Sequence, residues 1–524
     1  MGIYLNPGNE NFAEQTRAQI YVDKTMMISE INKIMTGPDK YVCVSRPRRF
    51  GKTITENMLS AYFSKGCDSK ELFAPYKISS KPDFETNLNR FNVIKIDMNS
   101  EYQNADDKES VLKRLSAFIK KEMKQEFPSV ELTDEDSLGE SILKIYAQTK
   151  ETFVILIDEY DVLVREKISD KLFMEYLSFL NGLFKSNTLR PAIKLAYLTG
   201  ILPVVRDKIQ SKLNNFEEYT ILDAGELAEF IGFTSDEVKD LCKKYEVNFE
   251  ECKSWYDGYH QHGIEIYNPE SVVKSIQKKE FSSFWGKTSS YEVISDQISA
   301  NFAGTKDDVI RMLAGESVDI DVGMYRNTLN GFVSKDDIFT YLVHLGYLAY
   351  NKENQTCHIP NKEVRLDWQR AVSVLADYAE TDKIIKASKQ LLSEILQGNS
   401  ESVAKSLDGS HVHVCSNRSY NNEDALQSAI YLSFIYALNK YTCLRETPSG
   451  KWIADMIYIP FVQGLPALVI ELKHNRCAQT ALNQIREKQY FKSLEYYSGN
   501  LLFIGINYDE KSKKHDCKIE KFVK

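Results

Sequence analysis

The sequence predicts an α/β protein whose first 225 residues form a mostly parallel sheet covered by helices, followed by further domains. Three observations carry that expectation. Short apolar, β-branched runs recur at 41–45, 92–98, 153–161, 193–200 and 219–223. Longer stretches with helical spacing lie between them, and strands that alternate with helices favour parallel pairing. The run Val154-Ile155-Leu156-Ile157 is apolar at every position, as a central strand buried on both faces has to be.

Taken in order, the strands are "YVCVS", "NVIKIDM", "FVILIDEYD", "IKLAYLTG" and "YTILD", with helical stretches such as "SVLKRLSAFIKKEMKQEF" and "KLFMEYLSFLNGLFKS" between them. After Asp223 the texture changes: "ELAEFIGFTSDEVKDLCKKY" reads as helix, and the chain stays helix-rich to about residue 375. That region closes on "FTYLVHLGYLAYNKENQTCHIPNKEVR", a helix followed by a strand pair around "NKEN", a wing-like element. Residues 406–424 are polar and turn-rich and lead into the last domain. It opens with a helix over 423–441, continues with the strand runs "WIADMIYIP" and "ALVIELK" around a "QGLP" turn, then a helix, and ends on the strand "LLFIGINY". A chain of 524 residues is too long for one core. The expected division is 1–225 (sheet domain), 226–375 (helical lid with wing), 376–415 (connecting segment) and 416–524 (C-terminal α/β domain).

A net charge of −8 and a pI near 5.7 exclude a basic protein that coats nucleic acid, so any nucleic-acid site is a local groove. Nine cysteines with no C-x-x-C pair point to reduced thiols in the cytoplasm. His411, His413 and Cys415 alternate, which places them on one face of a strand; they read as structural. No apolar run reaches the roughly 20 residues of a membrane span, and "MGIYLNPGNENF" carries neither a secretion nor a myristoylation signal, so the expectation is a cytoplasmic protein with no membrane partner.

The chemistry concentrates in two places. Gly51-Lys52-Thr53, between a strand run and an amphipathic helix, is the end of the phosphate-loop pattern G-x-x-x-x-G-K-[ST], with Arg46 where the first glycine belongs. Backbone N–H groups of Phe50, Gly51 and Lys52 would form the nest for the phosphates, with Arg49 beside them in the nucleotide site; the Lys52 side chain would reach the β- and γ-phosphates, and the Thr53 hydroxyl would ligate Mg²⁺. Asp158, at the end of the buried strand run, would complete the Mg²⁺ shell, and Glu159 would orient the attacking water of an ATP hydrolysis. Arg46, Arg48 and Arg49 either add charge against the triphosphate or form a solvated rim. Asp161 orders the strand end or, as the preferred reading, caps a helix. Thr199 and Arg206 are open either to a phosphate-facing role or to a structural one.

The ordered set "YVDKT", "SRPRRFGKT", "LIDEYD", "LTGI", "LNNF", "WYDGY", "YNPESV" and "LGYLAY" closely resembles the bacterial AAA-ATPase-like proteins that carry a C-terminal PD-(D/E)XK nuclease-type domain. The resemblance implies a P-loop NTPase domain, a helical or winged lid and a restriction-endonuclease-like α/β domain. It also implies that Arg-Pro-Arg-Arg-Phe-Gly-Lys is an ordinary form of the loop. "WYDGY" suggests no chemistry and reads as packing aromatics.

The second place is the last domain. Asp455 lies in one strand run and Glu471 and Lys473 share a side of the next, so a hairpin through "FVQGLP" would join them. Two carboxylates hold a Mg²⁺ ion that activates water on a phosphodiester, and Lys473 supports the nucleophile or the scissile phosphate. Glu423 is open to two readings, a third metal ligand or a helix cap, and Gln484 and Lys488 to site support or an exposed helix face. The basic tail "KSKKHDCKIEKFVK" reads either as a phosphate contact or as a solvated end. Nucleic acid is the expected partner. The rivals are a nucleotide-switched nucleic-acid-binding protein and a protein-signalling ATPase, neither of which cleaves. Self-association, suggested by the AAA label, stays open because no residue here carries it.

Overall fold

The computed structural model describes residues 2–166, 168–204, 213–285, 291–300, 302–325, 332–375, 378–414, 426, 430–445, 454–460, 464–488 and 499–522. The chain divides into two compact units. The first comprises Met1–Tyr245, Gly258–Gln277 and Asp319–Cys357; the second comprises Glu246–Asp257, Lys278–Val318 and His358–Lys524.

The first unit is built on strands β1 (Tyr41–Ser45), β2 (Asn92–Asp97), β3 (Phe153–Asp158), β4 (Ile193–Gly200) and β5 (Glu217–Tyr219). Their order is β2-β3-β4-β1-β5 and all pairings are parallel. The helices include α1 (Lys52–Phe63), α2 (Val111–Glu126), α3 (Leu138–Thr149) and α4 (Asp170–Phe184). Strand alternation sorts the core. Tyr41, Cys43, Ile155, Ile157 and Leu198 face Leu115 and Ile119 of α2, Ile142 of α3 and Leu180 of α4 in one cluster. The opposite face, with Val42, Val44, Val154 and Leu156 fully buried, lies under α1. A sheet covered on both faces accounts for the continuous apolar runs. The last strand starts earlier than the run "YTILD" suggests: Tyr219 ends it, and Thr220 instead receives the N–H groups of Leu222 and Asp223 on its hydroxyl in a local turn.

The region read as helix-rich also contains a small antiparallel sheet. Strands β6 (Phe233–Thr234), β7 (Tyr259–Gln261) and β8 (Ile264–Tyr267) lie in the order β6-β8-β7. His262 and Gly263, both at positive φ, form the turn between β7 and β8. Helix α5 (Ser235–Tyr245) follows β6, and helix α6 (Pro269–Lys278) follows β8. The expected helix and strand pair are present as α7 (Lys335–Leu345), β9 (Ala349–Asn351) and β10 (Thr356–His358).

In the second unit, helices α8 (Lys362–Val374), α9 (Ala379–Gln397) and α10 (Ser400–Val414) precede a five-stranded mixed sheet. Its strands are β11 (Tyr441–Arg445), β12 (Met456–Pro460), β13 (Ala467–His474), β14 (Leu501–Asp509) and β15 (Lys514–Phe522), in that spatial order. Only the β13–β14 pair is parallel. Helix α11 (Ala478–Lys488) is the crossover between them and packs on both.

Three expectations change here. Of the stretch 406–424 read as turn-rich, residues 406–414 belong to the helix Ser400–Val414, where Val403 and Leu407, one helical turn apart, are both buried; 415–424 lie outside the described residues. His411 and His413 therefore lie on a helix and do not share a strand face; Cys415 falls outside the described residues. The C-terminal tail is not a solvated end but the edge strand β15, paired along its length with β14. Its alternation buries His515 and Cys517 and leaves Lys514, Asp516 and Lys518 exposed. Asp408 of α10 anchors it, accepting from the His515 backbone N–H at 2.8 Å and lying 2.9 Å from His515 Nδ1. No helix among the described residues is long and apolar enough to cross a membrane.

Candidate functional site

The loop between β1 and α1 spans Arg46 to Gly51, and it turns left-handed twice, at Arg49 (φ 69°) and at Gly51 (φ 92°). Arg46 is not among the described residues with positive φ, so its backbone does not need glycine's freedom. Its side chain is fully buried. Nη1 donates to the carbonyls of Ser45 and Tyr219, both at 2.8 Å, and its backbone N–H donates to Gly200 O at 3.0 Å. One residue thus ties together the ends of β1, β4 and β5. Burial pulls its guanidinium down to about 10. Arg46 therefore neither faces a triphosphate nor forms a rim. Arg48 and Arg49 do reach the cavity below. Arg49 Nε pairs with Glu270 of α6 at 2.9 Å, and Asn268 Nδ2 donates to Arg48 O at 3.5 Å.

Lys52 opens α1 and is buried, with Nζ donating to Arg46 O at 2.9 Å and Pro47 O at 3.0 Å. Burial lowers its pKa, against the opposing pull of Glu159 and Asp158. The next residue, Thr53, donates from Oγ1 to Asp158 Oδ2 at 2.6 Å. The other Asp158 oxygen accepts the Thr199 hydroxyl and, at 2.9 Å, the Glu159 backbone N–H. Thr199 is fully buried and its hydroxyl is committed to this carboxylate. Sequence spacing of 105 residues between Thr53 and Asp158 closes to one hydrogen bond because β1 and β3 flank β4 in the sheet and both point the same way.

Glu159 sits just past β3 at φ 50°, a left-handed conformation that costs a non-glycine residue about 1–2 kcal/mol. Burial raises its carboxyl above the ordinary glutamate value, opposed by Lys52 and Arg165. Arg165 donates to Glu159 Oε2 from Nη2 and, at 2.9 Å, to Asp161 Oδ2 from Nε. Asp161 Oδ2 also accepts the backbone N–H groups of Ile201 (3.1 Å) and Leu202 (2.9 Å). Its side chain makes no helix-cap bond, so Asp161 orders the strand ends, not the helix that follows. The sequence reading missed Arg165. The available signal was its spacing, four positions after Asp161, where an acid–base pair meets on a helical turn.

These groups line a cavity of about 860 Å³. Arg48 to Thr53, Asp158, Glu159 and Arg165 supply its polar wall, and Ile20, Tyr21, Val22, Phe230, Phe233 and Val273 supply apolar surface. "YVDKT" and "YNPESV" therefore contribute walls of this cavity. From "WYDGY", Tyr259 packs edge-on against Phe50 at 5.4 Å and donates to Gly346 O at 2.6 Å. Arg206 lies outside the described residues.

A second cluster forms on the C-terminal sheet. The antiparallel β12–β13 pairing brings Asp455, just before β12, against β13, where its Oδ2 accepts the Leu472 N–H at 2.6 Å. Glu471 is 2% exposed; Lys473 Nζ donates to its Oε1 at 3.0 Å, and Gln484 Nε2 of α11 donates to the same oxygen. Burial first, and Asp455 second, push the Glu471 carboxyl up to about 7. Gln484 thus supports this cluster, whereas Lys488 is exposed on the last turn of α11. Glu423 lies outside the described residues. Among the described residues no group of three His, Cys, Asp or Glu stands ready to hold a metal.

Comparisons with known proteins place the N-terminal region. Residues 7–210 match the family described as "Predicted AAA-ATPase". A protein of Azotobacter chroococcum mcd 1, described as an uncharacterized protein in the vnfD 5′ region, is 22% identical over 515 residues, covering 94% of this chain and 93% of its own. Among solved structures, the Walker-type ATPase PABY2304 of Pyrococcus abyssi is 15% identical, with a TM-score of 0.35 over 66% of this chain and 94% of its own. The Aeropyrum pernix ORC2 protein, solved with ADPNP and ADP, is 11% identical, with a TM-score of 0.30 over 70% of this chain and 97% of its own.

Proposed function

We propose that the first unit binds and hydrolyses ATP with Mg²⁺, and that Asp455, Glu471 and Lys473 hydrolyse nucleic-acid phosphodiester bonds. The observation that carries the first part is the 2.6 Å contact between the Thr53 hydroxyl and the Asp158 carboxylate, directly beside Lys52. Two adjacent hard oxygen donors suit Mg²⁺, which takes one or two protein ligands and completes its octahedron with waters and phosphate oxygens. When bound, the ion neutralises charge on the phosphates. The N–H groups of Phe50 and Gly51 and the start of α1 hold the phosphates, with Arg49 at the loop's edge. Lys52 exchanges its carbonyl partners for β- and γ-oxygens, and Glu159 holds the attacking water and takes its proton.

The C-terminal part rests on Glu471, whose Oε2 is buried without a partner among the described residues while Oε1 receives Lys473 and Gln484. That is a costly arrangement for a carboxylate with a purely structural role, and it suits a ligand set for a hard cation shared with Asp455.

Lys52→Ala should abolish Mg²⁺-ATP binding measured by calorimetry, and an unchanged affinity would mean the loop is not the site. Cleavage of single- and double-stranded DNA and of RNA should require Mg²⁺ or Mn²⁺ and vanish in Lys473→Ala. Binding without cleavage would instead assign a nucleotide-switched nucleic-acid-binding protein. Neither binding nor cleavage, with ATPase activity intact, would favour a signalling ATPase.

A further inference from the structure

We propose that Arg165 is the positioning residue for Glu159, fixing its carboxylate against the water that attacks the γ-phosphate; this rests on the ATPase reading of the site. Three observations meet at this side chain. It lines the cavity wall together with Glu159 and Asp158, yet is only 9% exposed. Its guanidinium bonds two carboxylates with different partners: Glu159, and Asp161, which is itself fully buried and held by the N–H groups of Ile201 and Leu202 just past β4. Glu159 is thereby referenced through Arg165 and Asp161 to the sheet, not to its own mobile χ angles. Glu159 also occupies a left-handed backbone conformation, which persists only where the surroundings over-determine it.

In the reaction, the water oxygen bonds to the γ-phosphorus and the bond to the β–γ bridging oxygen breaks. The electron pair leaves with ADP and the water's proton passes to Glu159. Arg165 touches none of these atoms. Its contribution is orientation, and orientation appears in turnover, not in affinity.

The test uses the full chain and four variants: Arg165→Ala, Arg165→Lys, Glu159→Gln and Arg165→Ala combined with Glu159→Gln. Arg165→Ala should lower kcat by about 10- to 100-fold, within the span of general acid–base effects, while the Kd for Mg²⁺-ADP stays within about threefold. Arg165→Lys should recover part of that loss. In the Glu159→Gln background, Arg165→Ala should change kcat by no more than about twofold, because the residue through which it acts is already disabled. Further independent loss in the double variant, a parallel collapse of nucleotide affinity, or faster turnover in Arg165→Ala would overturn the proposal. If Lys52→Ala still binds Mg²⁺-ATP, the ATPase reading itself fails, and that result is separate from any of these.

Discussion

At the scale of single residues, Arg46 shows how a motif position can change its job. The phosphate-loop pattern wants glycine there for backbone freedom, but this loop places its left-handed turns at Arg49 and Gly51, so the freedom is not needed. The side chain has been recruited instead to bridge Ser45 O and Tyr219 O. Its cost is visible in Nε and Nη2, which are buried without a partner among the described residues, and in a guanidinium drawn down to about 10. Two carbonyl bonds and a filled volume weigh against that desolvation. Losing both bonds and opening a cavity should dominate when the side chain is removed. Arg46→Gly, which restores the literal pattern, should therefore destabilise the protein by about 2–4 kcal/mol in denaturant unfolding. An unchanged midpoint would show that the guanidinium contributes nothing net.

At the scale of elements, the legible parts of the fold were those in which local pattern and tertiary environment agree. β1 and β4 match their apolar runs residue for residue, because every position of β1 and seven of the eight in β4 are buried. The second strand ends at Asp97, before the methionine that closed its run, where Asp97 caps the following helix by accepting the Ser100 N–H. The misreadings have two physical causes. Residues 406–414, the described part of the stretch read as turn-rich, carry Asp-Gly-Ser, a local turn signal, yet Val403 and Leu407 of the same helix bury against neighbouring elements and burial decides the outcome. β15 was hidden by its lysines, since charge density masks the period-2 alternation of His515, Cys517 and Ile519. The sites were legible to different depths. Lys52, Thr53 and Asp158 follow from strand-to-helix placement alone. Asn268 and Glu270 did not, because their contacts with the loop join segments up to 221 positions apart, as in Arg49–Glu270, and no local rule couples such residues; Arg165 carried a local signal in its spacing from Asp161.

At the scale of the whole molecule, 74 acidic against 66 basic residues set the kind of nucleic-acid contact the proposed reading can have. A protein with net charge −8 repels a polyanion at long range, and beyond about a Debye length only a local arrangement of cations can offset this. Among the described residues, the exposed side of the C-terminal edge strand is not a continuous basic stripe. Along the exposed side of β15, Lys514, Asp516 and Lys518 alternate in sign, and Arg486 of α11 is paired with Glu520. Few phosphates can then be neutralised at once. The slope of log affinity against log salt should be shallow, about −2 to −4, corresponding to roughly two to five phosphate contacts on duplex DNA. Titrations of labelled duplex across a salt series, with Ca²⁺ in place of Mg²⁺ to suppress cleavage, would measure it. A slope steeper than about −7 would require a broad cationic track. That would contradict both the global charge and the sign alternation on β15, and would move the nucleic-acid interface away from the C-terminal cluster.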